Sequence, residues 1–171
     1  MTFLRGFVLG VVVTILVLIA GGYLFVRAGG VSLATTAPPL PLEKTVARLA
    51  LRASIGNAKD DKDPLPFNDR DLVAGANIYK EQCAGCHGTP GAARTAISKG
   101  MFPPPPQLFE KNDMVTDDPV GITHWKVTHG IRLSGMPGFA GTLSDIQRWQ
   151  VTILVSHADK LSDAVQAAFA H

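Results

Sequence analysis

The chain has 171 residues, 18% of them charged, with a formal net charge of +2 and two cysteines. Its length leaves room for one modest domain with additions, and so small a charge excess gives no footprint for nucleic acid. The charge is unevenly spread: residues 1–67 hold seven Lys/Arg against four Asp/Glu, and residues 68–171 hold nine against ten.

From Gly6 to Val26 the chain runs 21 residues without a charge, rich in Val, Leu and Ile, between Arg5 and Arg27. At about 1.5 Å per residue, such a helix crosses a hydrocarbon core of about 30 Å. A cleaved signal peptide would have an apolar region of only about 7–15 residues and a small-x-small site after it. Val26-Arg27-Ala28 and Ser32-Leu33-Ala34 are weak matches to such a site. Segment length therefore favours a retained anchor: a short cytoplasmic N-terminus over 1–5 and a single transmembrane helix over 6–26.

Residues 27–67 read as a linker. Positions 28–40 are uncharged and carry Gly, Ser, Thr and Pro, a composition for extended chain. Leu42, Val46, Leu49 and Ala53 then recur at helical spacing, with Lys44, Arg48 and Arg52 on other faces. This predicts a short amphipathic helix over about 42–55, ended by Gly56-Asn57. Its apolar stripe suits anionic headgroups or a partner subunit, and equally suits packing on the domain that follows. Lys59–Asp63 is a solvated charge run, and Pro64 and Pro66 punctuate the approach to a domain starting at residue 68.

Asn68 is placed to cap a helix whose inner stripe is Leu72, Gly75/Ala76, Tyr79 and Cys83. That helix delivers Cys83-Ala84-Gly85-Cys86-His87, the C-x-x-C-H signature of covalent haem attachment. Two thiols three positions apart can each form a thioether to one porphyrin, and the adjacent imidazole is placed to ligate the iron. A thioredoxin-like dithiol needs no following His. A structural zinc site needs two more ligands, and a disulfide across so small a loop fits ordinary geometry poorly. The run Gly75, Tyr79, Cys83, Cys86, His87, Gly88 resembles the N-terminal helix of the class I c-type cytochromes. The resemblance implies that Gly75 allows a close crossing by the C-terminal helix, with Trp149 or Ile153 reaching Gly75 or Tyr79.

After His87 the chain turns through Gly88, Pro90 and Gly91 and reaches four consecutive prolines, 103–106, a stiff segment with acceptors only. In the family it resembles, a carbonyl of this loop accepts the proton of the ligand imidazole's second nitrogen; that role falls to Pro104–Pro106, centred on Pro105. A helix is predicted from Pro119 through Ile122, Trp125 and Thr128, stopping at Gly130. Gly135-Met136-Pro137 then resembles the family's distal loop. The resemblance implies Met136 as sixth ligand, a thioether that raises the reduction potential. Met101, Met114, His124 and His129 are the rivals, with a His87/His129 pair the main alternative and Met101 assigned to the proximal side. Trp125, Ile131 and Arg132 lie close enough in sequence to touch the haem edge, and Arg132 suits a propionate or plain solvent. Ser144 with Gln147 forms a capping-box pattern, and Leu161, Val165 and Phe169 mark a short terminal helix.

The expected architecture is all-α: a class I cytochrome c fold around one covalent haem c over residues 68–171, behind a single N-terminal transmembrane helix. The resemblance covers about residues 68–160 and implies one-electron transfer between redox partner proteins, with no small-molecule substrate. Haem attachment in bacteria takes place outside the cytoplasmic membrane, which puts the haem domain on the periplasmic side of that membrane. A fixed relay subunit of a dehydrogenase or oxidase uses the same domain, and so does a gas sensor with a displaceable Met136.

Overall fold

The computed structural model describes residues 2–170. Among them there are helices and turns but no strand, and the chain divides into two compact units at Pro41/Leu42.

The first unit is dominated by α1, Thr2–Arg27. Its side chains from Phe3 onward are exposed, and it is long and apolar enough to cross a membrane over Phe3–Arg27. Within the apolar run the hydroxyl of Thr14 donates to the Gly10 carbonyl at 2.9 Å. The polar group is thereby satisfied inside the helix, as a hydrocarbon surrounding demands.

The second unit opens with α2, Glu43–Ile55, and a 3-10 turn, Gly56–Asp60. Its central pair is α3, Asp69–Gln82, and α7, Asp145–Ser156, which make the most extensive helix contact of the unit. Between them come the short α4, Ala84–His87, and α5, Ala96–Gly100, then α6, Val120–His129; α8, Asp163–Ala170, closes the chain. The core is the inner stripe of α3 (Leu72, Ala76, Tyr79) against Val151, Ile153, Leu154 and Val155 of α7, with Val165 of α8 behind.

Local chemistry sets these boundaries. The Asn68 side chain accepts from the Asp71 amide at 3.0 Å and starts α3. Ser144 and Gln147 form a reciprocal capping box that starts α7. α3 and α7 cross at Gly75, where an added Cβ would run into the Gln150 carbonyl oxygen and lie 3.3 Å from the Leu154 Cβ. The residue facing Gly75 is thus Gln150, not Trp149, which lies flat on His124 of α6 with ring centroids 3.8 Å apart. Gln150 also donates to Asp71 at 2.8 Å, and this bond, followed by that from Asn68, holds the Asp71 carboxyl below its ordinary range.

The segment before α3 is part of this unit. Ile55 is buried, and the Ala58 carbonyl fills the place a side chain on Gly121 of α6 would need. The stretch expected to be linker and solvated charge therefore supplies packing as well as charge. Composition gave no sign of it, because the contact is made by backbone against a glycine.

Candidate haem site

α3 ends at Cys83, whose carbonyl accepts from the amides of Cys86 at 3.1 Å and His87 at 3.0 Å. The one-turn α4 that results carries Cys86 and His87, with Cys83 as the residue that caps it. Gly88, at φ +72°, breaks it.

Three side chains from elsewhere hold the backbone of this turn. Thr95 Oγ1 donates to the Gly85 carbonyl at 2.7 Å, Gln107 Nε2 to the Cys86 carbonyl at 3.1 Å, and the Tyr79 hydroxyl to the Gly88 carbonyl at 2.8 Å. Tyr79 is fully buried, meets Phe109 edge-on at 5.1 Å, and has its phenol pushed far above its usual range by desolvation. Thr95 and Gln107 were not anticipated. Their signal was faint: a Thr at a helix start and a Gln directly after the proline run.

His87 Nδ1 lies 2.8 Å from the Pro106 carbonyl. A carbonyl only accepts, so Nδ1 carries the proton and Nε2 is left with its lone pair. The acceptor is Pro106, the last residue of the Pro104–Pro106 stretch expected to supply it and one beyond Pro105. The Pro105 carbonyl is taken by Arg94 Nη1 at 3.0 Å. Arg94 also pairs with Asp113 at 2.8 Å, and Asp113 accepts from the Gln107 amide at 3.0 Å. This pair fixes the path of the proline loop and hence which carbonyl meets His87. Burial lowers the affinity of His87 for a second proton, partly opposed by the bond to Pro106, and a neutral imidazole is the form that ligates metal.

The distal loop folds back on the end of α6. The Ile131 amide donates to the Met136 carbonyl at 3.1 Å, and the Phe139 amide to that of Val127 at 3.0 Å. Ser134 Oγ donates to the Ile131 carbonyl at 2.7 Å and accepts from the Met136 amide at 3.2 Å. Gly130 and Gly135 have φ of +67° and +81°. A Cβ on Gly130 would lie 2.6 Å from the Met136 carbonyl oxygen and one on Gly135 2.7 Å from Met101 Cε. Met101 thus backs the loop that carries Met136, rather than belonging to the proximal side.

The two halves face one cavity of about 210 Å³. Cys83, Cys86, His87 and Pro106 line it together with Ile131 and Met136, and α6 and α7 add Val127, Val151 and Val155. α2 contributes Leu51. Trp125 and Arg132, expected at the haem edge, are not among the lining residues: Trp125 packs on His129 at 4.9 Å and Arg132 is exposed. On the cavity wall the hydroxyl of Thr123 is buried without a partner, one helical turn from Lys126.

These residues fit a covalently held haem. The wall is mostly apolar, and two thiols and one imidazole from the end of α3 and α4 share it with the thioether of the distal loop. Cys83 and Cys86 are free. Burial, and next Cys86, push the Cys83 thiol up to about 12. Among the described residues no three His, Cys, Asp or Glu side chains gather in a metal-binding group.

Comparison with known proteins agrees with this chemistry. Residues 70–153 match the family described as cytochrome c oxidase, cbb3-type, subunit III. A thiosulfate dehydrogenase of Stutzerimonas stutzeri (strain A1501) is 31% identical over 101 residues, covering 58% of this chain and 31% of that protein. The chain spans about a third of the length of that curated relative. No solved structure matches it.

Proposed function

The chain is a c-type cytochrome, and on that premise we propose that it is a membrane-tethered one-electron carrier with one haem c. In this reading the haem is attached through Cys83 and Cys86 and ligated by His87 and Met136. The observation that carries the reading is the convergence of those four side chains on one apolar cavity. The haem, when bound, supplies the one-electron couple. The protein's part is to hold the imidazole tautomer through Pro106, to aim the Met136 thioether with a glycine-bounded loop, and to keep water from the ring with Val127, Val151, Val155 and Leu51. His87 and Met136 would both be engaged by the iron of a bound haem, which would leave no place on it for a substrate and favours electron transfer over catalysis. α1 supports anchoring in the bacterial cytoplasmic membrane, with the haem domain on the periplasmic side where haem is attached.

Acid–acetone extraction tests the attachment: haem should stay on the polypeptide, and Cys83→Ala or Cys86→Ala should reduce the haem retained. Complete release from the unsubstituted protein defeats the reading. For the sixth ligand, Met136→Ala should abolish the weak long-wavelength band of an oxidised iron–thioether centre. A band unchanged in that variant points to Met101, now seen beside the loop.

A second reading, a fixed haem relay within a larger oxidoreductase, is favoured by the similarity to an oxidase subunit family and to a dehydrogenase. Mild detergent extraction separates the two: a stoichiometric partner retained through purification supports the relay, and an isolated polypeptide supports the free carrier.

A further inference from the structure

α2 has two apolar faces, and the fold uses only one. Leu51 lines the haem cavity and Ile55 is buried. On the opposite side Leu42, Val46 and Leu49 are 73%, 61% and 68% exposed, with Ala53 exposed among them. Leu42 is the N-cap of α2; at 100° per residue the helical Val46, Leu49 and Ala53 fall within an arc of about 60°, roughly opposite Leu51. Lys44, Arg48 and Arg52 occupy the remaining faces, three cations against the single carboxylate of Glu43.

We propose that this outer face lies in the surface of the bilayer spanned by α1, so that α2 is an interfacial helix with the haem cavity wall on its other side. The inference rests on the reading of α1 as a membrane anchor. Two observations choose lipid over a protein occupant. Chain continuity is the first: 15 residues separate Arg27, the end of α1, from Glu43, which is about 50 Å at full extension. The stripe therefore never leaves the neighbourhood of the membrane, and association with it is intramolecular in effect. Charge is the second. An apolar stripe with Lys and Arg on the other faces matches an anionic headgroup layer, and cations one helix diameter above it lie within about a Debye length of that layer. A helix held on lipid by its outer face and on the haem domain by Leu51 and Ile55 also fixes which side of the cavity faces the membrane.

Nitroxide labelling of the full-length haem protein in phosphatidylcholine nanodiscs containing phosphatidylglycerol tests this. Cys83 and Cys86 are consumed by haem attachment in this reading, so the unsubstituted protein should take no label, and Leu49→Cys, Lys44→Cys and Val17→Cys each give one site. The expected result at Leu49 is high accessibility to oxygen and several-fold lower accessibility to a water-soluble nickel chelate than at Lys44. If the chelate reaches Leu49 as well as Lys44, the face is solvated and the proposal falls. Shielding of Leu49 from both reagents means that protein covers the stripe, and also overturns it. Val17, in the middle of α1, keeps the two inferences apart. A lipid-embedded Val17 with a water-exposed Leu49 defeats only the α2 proposal, whereas a water-exposed Val17 defeats the anchor itself.

Discussion

Gln107 shows how much of the site depends on residues that never touch the cavity. Its side chain is buried and spans Cys86, Ser98 and Pro105, joining the attachment turn to the proline loop. Gln107→Ala leaves the Cys86 carbonyl and the Ser98 hydroxyl short of a partner, a loss of about 1–3 kcal/mol for buried groups. Chemical denaturation of the haem protein should show that loss, with Gln166→Ala, at an exposed position of α8, unchanged within about 0.5 kcal/mol. His124 carries the pH dependence at this scale. It is stacked on Trp149, its Nε2 lacks a hydrogen-bond partner and lies 3.7 Å from Asp145 Oδ1. Burial lowers its pKa despite the opposing pull of Asp145. The unfolded chain takes up this proton near pH 6.5, and the folded protein only at lower pH. Between the two values the unfolded state binds more protons, so stability falls as pH drops through that window and levels off below it. His124→Phe retains the stacking and removes the proton; its stability should fall less than that of the unsubstituted protein as pH is lowered from 7. Parallel profiles would show that His124 does not contribute.

At the scale of elements the crossing at Gly75 makes the sharpest demand. Alanine there gains about 1 kcal/mol of helix propensity but forces α3 away from the Gln150 backbone, and overpacking of this kind costs about 1–3 kcal/mol. Gly75→Ala should therefore lower the denaturation midpoint. Gly100→Ala, with nothing within 4 Å of its added Cβ, should not. Gly75 was legible because a glycine inside a strong apolar stripe needs a reason, and so were the Asn68 cap, the Ser144/Gln147 box and the Cys83–His87 turn, whose signals lie within a few residues of each other. What was not legible depends on distant parts of the chain. Pro106 meets His87 because Arg94 and Asp113 set the loop path, and Trp149 faces His124 because one residue of phase rotates a helix by 100°. The packing of Gly56–Asp60 on α6 is likewise invisible to composition. It alters where a soluble form should begin. A form starting at Asp63 loses Leu51 from the cavity wall and the Ala58 contact with Gly121. It should be less stable and hold a more solvent-exposed haem with a lower potential, since water stabilises the more highly charged oxidised ring. A form starting at Leu42 keeps both contacts.

Taken whole, and on the proposed reading of α1 as an anchor, the molecule is an electrostatically plain haem domain on a short tether. Nine basic against ten acidic residues over 68–171 provide no charge excess to steer a partner from a distance. Residues 28–41 separate α1 from the second unit; as a flexible chain of 14 residues they span about 20 Å r.m.s.. If α1 anchors it as proposed, a domain confined to so thin a layer would meet neighbouring membrane complexes at an effective concentration approaching about millimolar. Confinement then does for encounter rate what steering does for a charged carrier. The consequence is measurable with the two forms that share an intact haem cavity. The full-length protein and the form starting at Leu42 should have the same spectrum and midpoint potential, because the lining residues named for the cavity all belong to the second unit. Native membranes containing the full-length protein should be oxidised or reduced much faster than those given the same total amount of the soluble form. Added salt should change neither rate strongly, as a collision without charge steering has little to screen. Equal rates for the two forms would show that collision in solution suffices. A steep loss of the soluble form's rate with salt would show instead that a local charged patch, hidden in the overall balance, guides the partner.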